Sequence, residues 1–228
     1  LYPIGFLLIV IGRYQLFTEN TLTPVTLVLT RIASLPTLLR VWGTVLAANL
    51  VGAFILAFAL ANTGILSDEA AATALGFWEH ALETSWDSLF FKGVMAGWLV
   101  ASMVWLVHAA LDTVARILLV FFMMFLIPAA DLYHCIIGFC EAAYGMLLGE
   151  ATVNQAVFEF FLPVLLGNTI GGVLLVAILN FAMTRDLRFP DRDCSELQLT
   201  WREWLFGFYT GEPTRGNDRP IPLRTQVQ

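Results

Sequence analysis

The chain has 228 residues, of which 58% are hydrophobic and 13% are charged, and its formal net charge is −6. So little charge, with a mean hydropathy of +0.76, indicates an integral membrane protein and argues against a soluble metabolic enzyme. It also excludes a nucleic-acid-binding protein, whose basic surface must meet phosphates. Between positions 41 and 184 the only lysine is Lys92 and the only arginine is Arg116, so the middle of the chain is predicted to lie in lipid.

The first apolar segment, residues 1–29, is interrupted by a polar stretch at residues 13–21. Residues 1–12 carry neither a charged leader nor a cleavage site, so they do not resemble a signal peptide. The segment is long enough for one membrane span only if two half-helices meet inside the bilayer. Because the sequence opens within an apolar run, we expect a further helix before it.

Three later segments, residues 38–61, 88–108 and 158–183, have the length and apolar composition of membrane-spanning helices. A fourth, residues 114–148, is broken at residues 128–134. Non-helical backbone at membrane depth is tolerated where protein or a water-filled cavity satisfies its polar groups, so the two broken helices indicate a transport pathway.

Charged residues predict the orientation of these spans. The segment between the first two uninterrupted spans, residues 62–87, carries acidic residues and no lysine or arginine, so it is expected outside the cell. The loops on the opposite side hold Arg31, Arg40 and Arg116, and the segment after residue 184 is arginine-rich. The positive-inside rule therefore predicts a cytoplasmic C-terminus.

An internal repeat supports this arrangement, because residues 48–53 (Ala-Asn-Leu-Val-Gly-Ala) resemble residues 167–172 (Gly-Asn-Thr-Ile-Gly-Gly). The two helices that carry these motifs, with Asn49 and Asn168, cross the membrane in opposite directions, so the repeat is inverted. We predict six spans in the full protein, the first of them absent from this sequence. Small residues spaced four apart indicate close helix contacts, at Ala48 and Gly52, Gly93 and Gly97, and Gly167 and Gly171.

The chain divides into a transmembrane domain, residues 1–184, and a polar tail, residues 185–228. Within the tail, residues 195–209 can form an amphipathic helix that lies on the inner leaflet or docks a partner. Its predicted apolar face consists of Trp201, Trp204, Leu205 and Phe208.

Polar residues at membrane depth are candidate functional residues. His134 follows the second helix break, and histidine is the side chain that ordinarily exchanges a proton near neutral pH. Asp131 is expected to cap the second half-helix by accepting hydrogen bonds from its free amides. Glu141 lies seven residues after His134 on the same helical face and either lines an outer vestibule or pairs at a subunit contact.

The first break offers a second set of polar groups. Thr18 and the neighbouring amides are expected to face His134 across the pseudo-symmetry axis and to offer donors to an anion. Arg13 and Glu19 flank the same break and are expected to pair with each other. Lys92, the only lysine, either extends to the lipid headgroups or raises the local anion concentration.

The three cysteines, Cys135, Cys140 and Cys194, show no metal-ligand spacing and are interpreted as buried small hydrophobic residues. No metal or cofactor is expected. No nucleophile, base and orienting acid occur together at a plausible spacing, so no enzymatic activity is predicted.

Three stretches of the chain resemble the signature stretches of the formate/nitrite transporter family: residues 16–21 (Leu-Phe-Thr-Glu-Asn-Thr), residues 91–100 and residues 162–172. The resemblance extends over nearly the whole chain to Met183. It implies an all-α, aquaporin-like protomer of six helices in a homopentamer, each protomer with its own pore for small monovalent anions.

The resemblance also implies roles for individual residues. His134 corresponds to the family's central histidine, Thr18 to the threonine of its first broken loop, and Lys92 to a basic residue near the outer vestibule. Gly97 stands where the family has a pore asparagine, so the transported anion can differ from formate or nitrite. The family's apolar constrictions correspond to Tyr2 and Phe6 on one side of the centre and to Ile127 on the other.

A bare anion at an apolar constriction faces a large desolvation penalty, which neutralisation removes. The leading hypothesis is therefore that the anion of a weak acid is attracted near Lys92, stabilised by Thr18 and loop amides, and protonated through His134 or a water chain. Two alternatives stay open: a neutral-solute channel of the aquaporin type, although neither loop has an Asn-Pro-Ala motif, and a membrane scaffold with a closed pore.

Overall fold

A computed structural model of the chain describes residues 2–184 and 198–207. This part of the chain is entirely helical apart from turns and loops. Its helices, in chain order, are α1 (Tyr2–Gly12), α2 (Thr23–Leu29), α3 (Leu35–Asn62), α4 (Asp68–Leu82), α5 (Trp86–Ala109), α6 (Thr113–Ala129), α7 (Cys135–Leu148), α8 (Leu162–Gly172), α9 (Leu179–Thr184) and α10 (Trp201–Phe206).

Three continuous helical rods are long and apolar enough to cross a membrane: Leu35–Asn62, Trp86–Ala109 and Gln155–Met183. They confirm the three uninterrupted spans expected from the sequence. The last rod contains α8 flanked by two π-helical segments, Gln155–Phe161 and Val173–Ile178. Such wider turns are uncommon and are frequently found near functional sites.

Both interrupted segments form pairs of half-helices, α1 with α2 and α6 with α7, as the polar stretches predict. All four half-helices end in the same way, at a residue with positive φ: Arg13 (57°), Arg31 (57°), Asp131 (52°) and Gly149 (84°). In each case this residue and the next donate their backbone amides to carbonyls of the last helical turn. The matching ends support the inverted repeat.

The helices pack as two interleaved repeats, with α1 against α6, α3 against α7, and α5 against both α6 and α8. A Cβ atom added to Gly93, Gly97, Gly167 or Gly171 would press on backbone atoms of the facing helix, so the predicted close contact between α5 and α8 is confirmed. Around Gly52 on α3, in contrast, nothing lies within 4 Å of an added Cβ.

Helix α4 lies in the segment that the sequence indicates as an acidic loop between the first two long spans. Ser67 begins it by accepting a hydrogen bond from the amide of Ala70 (3.3 Å), and two acidic residues follow in its first turn. The buried residues Trp78 and Ala81 lie on this helix, which packs against α7. Its length of 15 residues is too short for a membrane span.

The tail helix is shorter than predicted and has a specific docking position. It comprises only α10, which Thr200 and Glu203 begin with a reciprocal capping box. The indole of Trp204 donates to the carbonyl of Val28 (2.8 Å), and the guanidinium of Arg31 lies over the ring of Trp201 at 5.0 Å. Residues 195–197, 208 and 209 of the predicted amphipathic segment, which include Phe208, lie outside the described residues, as does Cys194.

Candidate functional site

The two broken loops meet at the centre of the structure. Thr18 Oγ1 and His134 Nε2 lie 2.7 Å apart, and both side chains are buried. The second ring nitrogen of His134, Nδ1, lies 3.5 Å from the amide of Ile137 in the first turn of α7. Because Nδ1 accepts there, the geometry fits a neutral ring whose Nε2 donates to Thr18. The expectation that these two residues face each other is confirmed.

Each broken loop is tied to a long helix by an asparagine. Asn168 Oδ1 accepts from the amide of Cys135 (2.9 Å), and its Nδ2 donates to the carbonyls of Tyr133 (3.0 Å) and Gly93 (2.8 Å). Asn49 Oδ1 likewise accepts from the amide of Phe17 (2.9 Å), and its Nδ2 donates to the carbonyl of Gln15 (3.1 Å). These bonds supply partners to backbone groups that the breaks leave without helical ones.

Aromatic side chains surround the central histidine. Phe6 packs edge-on against the ring of His134 at 5.2 Å and stacks on Tyr2 at 5.6 Å. Phe6 is 2% exposed and Ile127 is fully buried, and neither lines the cavities described below. The hydroxyl of Tyr2 is buried without a hydrogen-bond partner in the described part of the chain.

One cavity, here called the His80 cavity, has a volume of about 580 Å³ and reaches His134 from the side of α4. Its walls combine apolar side chains with a small number of polar ones, as is usual for small-molecule sites. Glu141 lines this cavity, which agrees with the first of its two predicted roles, the lining of a vestibule. The lining residues with polar side-chain atoms are Tyr2, His80, Asp131, Tyr133, His134 and Glu141.

A charged cluster lies at the wall of the His80 cavity. Lys92 forms an ion pair with Asp131, whose carboxylate also lies 3.3 Å from His80 Nε2. The ammonium of Lys92 is 5.4 Å from the centre of the Tyr133 ring. The expectation that Asp131 caps α7 is therefore wrong, since His134 itself occupies the cap position and Asp131 neutralises Lys92. Two roles are open for Lys92 from the sequence, attraction of anions by its ammonium and contact with the lipid headgroups. In the structure its ammonium is instead paired with Asp131.

A second cavity, here called the Arg13 cavity, has a volume of about 500 Å³ and opens at the far ends of α1 and α5. Arg13 and Glu19 both line it, yet they form no ion pair among the residues that the structure describes, so the predicted pairing is wrong. One carboxylate oxygen of Glu19 is buried without a partner there. The polar lining residues are Arg13, Tyr14, Gln15, Glu19, Asn20, Thr23, His108 and Arg116.

Gly97 lies away from both cavities. Its missing side chain leaves room for the backbone of Asn168, on which an added Cβ would press. The structure therefore places Gly97 in the contact between α5 and α8. Within residues 2–184 and 198–207, no group of three metal-binding side chains occurs.

Sequence reasoning does not identify His80 and Arg116 as residues of these cavities. His80 lies on a helix that the hydropathy pattern does not predict, 51 positions from its partner Asp131. From the sequence, Arg116 indicates only the orientation of the spans. His80 is exposed on α4, whose buried residues are Trp78 and Ala81, so no pattern in the acidic segment identifies it as a cavity residue.

Comparisons with known proteins agree with this architecture. A family model described as "Formate/nitrite transporter" matches residues 1–182. "Inner membrane protein YfdC" of Escherichia coli is 32% identical over 81% of the chain, which spans 60% of that protein. "Probable formate transporter" of Methanothermobacter thermautotrophicus is 32% identical over 78% of the chain and 71% of its own length.

Two solved structures share the fold. One, described as "FNT family ion channel", gives a TM-score of 0.69 at 21% identity and covers 79% of this chain and 74% of its own. The other, "Pentameric formate channel with formate bound", gives a TM-score of 0.66 at 23% identity and covers 79% of each chain.

Proposed function

The chain belongs to the formate/nitrite transporter family, and we propose that it forms a transmembrane channel for small monovalent anions of weak acids. The observation that carries the proposal is the buried contact between Thr18 and His134, which lies between two cavities. The relatives named for a substrate, a probable formate transporter and a pentameric formate channel, favour formate-like anions.

The proposed pathway runs from the His80 cavity past Tyr2 and Phe6 to the central pair, then past Thr18 to the Arg13 cavity. Its centre holds one hydroxyl and one imidazole and is otherwise closed by apolar side chains. A charged species in such surroundings is costly, whereas a neutral acid is not. The solute is therefore proposed to cross the centre as the neutral acid.

His134 is proposed to relay the proton. The ring is positioned by Thr18 on one side and by the first turn of α7 on the other, so its orientation is fixed. It can take up a proton at Nδ1 through water from the adjoining His80 cavity and pass the Nε2 proton to an oxygen that replaces Thr18, so that the ring is neutral again after the transfer. The same step run in reverse releases the anion on the other side.

We further propose that the protein is a homopentamer in a bacterial inner membrane, with its C-terminus in the cytoplasm. The shared fold with a pentameric formate channel supports the oligomeric state. The positive-inside rule supports the orientation, because Arg13, Arg31, Arg40 and Arg116 lie at the Arg13-cavity end of their helices and the acidic α4 lies at the other.

A closed membrane scaffold is the second candidate. It is favoured by the direct hydrogen bond between Thr18 and His134 together with the stacked rings of Tyr2 and Phe6, which leave the two cavities separate. A scaffold of this kind carries no solute.

Uptake into proteoliposomes distinguishes these functions. Formate, nitrite, acetate and hydrosulfide are offered at acid and neutral pH to the wild-type protein, His134→Phe and Thr18→Val. Both substitutions break the same hydrogen bond, but only His134→Phe removes the group that carries a proton. We expect uptake that rises at acid pH, persists in Thr18→Val and loses its pH dependence in His134→Phe.

An unchanged pH dependence of uptake in His134→Phe would exclude the histidine relay. If none of the four solutes is taken up, the same assay with glycerol separates the alternatives: uptake of glycerol would favour a neutral-solute channel, and its absence would favour the scaffold.

A further inference from the structure

The two cavities differ in how their charges are balanced. At the His80 cavity the ammonium of Lys92 is neutralised by Asp131, and Glu141 adds a second carboxylate to the wall. At the Arg13 cavity two guanidinium groups, those of Arg13 and Arg116, share the wall with one carboxylate, that of Glu19. Within residues 2–184 and 198–207, neither arginine has a carboxylate oxygen within 4 Å.

Arg116 is oriented towards this cavity by the backbone. Its Nε donates to the carbonyl of Ala110 (3.0 Å), in the turn between α5 and α6, which fixes the stem of the side chain. The two terminal nitrogens of the guanidinium form no hydrogen bond with the described protein atoms. They are donors in a concave and partly buried site, which is the arrangement that binds oxyanions.

Arg13 occupies its position at a conformational cost. Its φ of 57° lies in the left-handed region, which non-glycine residues adopt at about 1 kcal/mol or more. The equivalent residue of the other repeat, Asp131, has the same conformation, and its side chain forms the ion pair with Lys92. By this symmetry the side chain of Arg13 is aimed at its own cavity, where no carboxylate of the described residues meets it.

We propose that Arg13 and Arg116 form a carboxylate-binding site that loads the transported anion at the cytoplasmic end of the pathway. This inference rests on the proposed function and deepens it. A planar guanidinium pairs with both oxygens of a carboxylate, so the site selects small carboxylates such as formate over spherical anions. The excess positive charge at one end concentrates the anion on that side of the membrane.

Binding is measured without transport by the thermal unfolding of the purified full chain. Sodium formate replaces sodium chloride at constant ionic strength, and the concentration that gives half of the maximal stabilisation is determined. We expect formate to stabilise the wild-type protein and Arg13→Gln to need about ten-fold more formate, the loss expected for one charge-assisted contact. Arg13→Lys keeps the charge without the planar group and should lie between them.

Arg40→Gln is the matched control. It removes one positive charge from the same end of the molecule, but Arg40 is exposed on α3 and lines neither cavity. We expect its half-stabilising concentration to stay within about two-fold of wild type. If Arg13→Gln does not fold, Arg13→Gly suits the left-handed backbone and should show the same loss.

A site-resolved flux experiment completes the test. In everted membrane vesicles the cytoplasmic face is exposed, and Arg13→Gln should raise the half-saturating formate concentration there several-fold, with little change in right-side-out vesicles. Equal effects on both faces, equal losses in Arg13→Gln and Arg40→Gln, or no stabilisation by formate would overturn the proposal. Arg13-dependent stabilisation without any flux would keep the binding site and reject the transport function.

Discussion

Replacing Asn168 by leucine removes three buried hydrogen bonds while almost preserving the volume of the side chain. The partners are the amide of Cys135 and the carbonyls of Tyr133 and Gly93. Gly93 lies within α5, where a carbonyl keeps its helical partner, so the amide of Cys135 and the carbonyl of Tyr133 are the groups left unsatisfied. Asn168 is itself fully buried, so bulk solvent does not reach these groups.

The magnitude follows from these two groups. A buried polar group without a partner costs about 1–3 kcal/mol, which gives roughly 2–6 kcal/mol for Asn168→Leu. Asn49→Leu is the matched change in the first repeat, but Asn49 is only half-buried and its bond to Gln15 is exposed. Solvent can satisfy that carbonyl, so we expect about 1 kcal/mol or less from the exposed bond and a total well below that of Asn168→Leu.

The assay is thermal unfolding of both variants in the same detergent, followed by tryptophan fluorescence. A difference of a few kcal/mol between them corresponds to a gap of roughly 5–15 °C in Tm for a chain of this size. Asn168→Asp keeps the acceptor for Cys135 but places a carboxylate oxygen against the carbonyls of Tyr133 and Gly93, so its stability should be no higher than that of Asn168→Leu. If Asn49→Leu and Asn168→Leu lower the free energy of unfolding equally, burial does not determine how much these hydrogen bonds stabilise the protein.

Two further predictions concern helix packing and vestibule charge. Gly171→Ala places a Cβ against the carbonyl of Val94 and should lower the free energy of unfolding by about 1–3 kcal/mol. Gly76→Ala on α4 meets open space and should be neutral or slightly stabilising. Chemical or thermal unfolding measures both changes. Asp131→Asn releases Lys92 from its ion pair and should increase anion uptake at low ionic strength more than at high, whereas Lys92→Ala should decrease it with the same salt dependence. An effect on uptake that is the same at all salt concentrations would contradict the electrostatic role. Because the ion pair is partly exposed, Asp131→Asn should change the free energy of unfolding by less than about 1 kcal/mol.

The sequence alone predicts the parts of this fold that depend on local hydropathy. The three long spans and both helix breaks follow from where apolar runs persist and where polar residues interrupt them. The pairing of Thr18 with His134 is also predictable, because the inverted repeat brings the two breaks together. Asn49 and Asn168 can be matched from their shared motif.

Contacts between distant, partly exposed groups cannot be predicted in this way. The partner of Asp131 depends on where α4 lies over α7, and no spacing in the sequence encodes that position. Capping preferences alone favour Asp131 as the N-cap of α7, yet the left-handed turn at Asp131 places His134 there instead. Arg13 and Glu19 are close in sequence, but the same kind of turn separates them.

The left-handed ends of the half-helices also bear on how this chain can change by mutation. Glycine occupies one of the four positions, and at the other three it is the residue that would relieve backbone strain. In the standard genetic code, arginine and aspartate each have codons that a single nucleotide change converts to a glycine codon. At Arg31 and Asp131 the change would also remove side-chain contacts, with Trp201 and Lys92 respectively, which offset the relief of strain. Arg13 has no ion pair among the described residues, so Arg13→Gly is the single-nucleotide change of the three from which the largest gain in stability is expected.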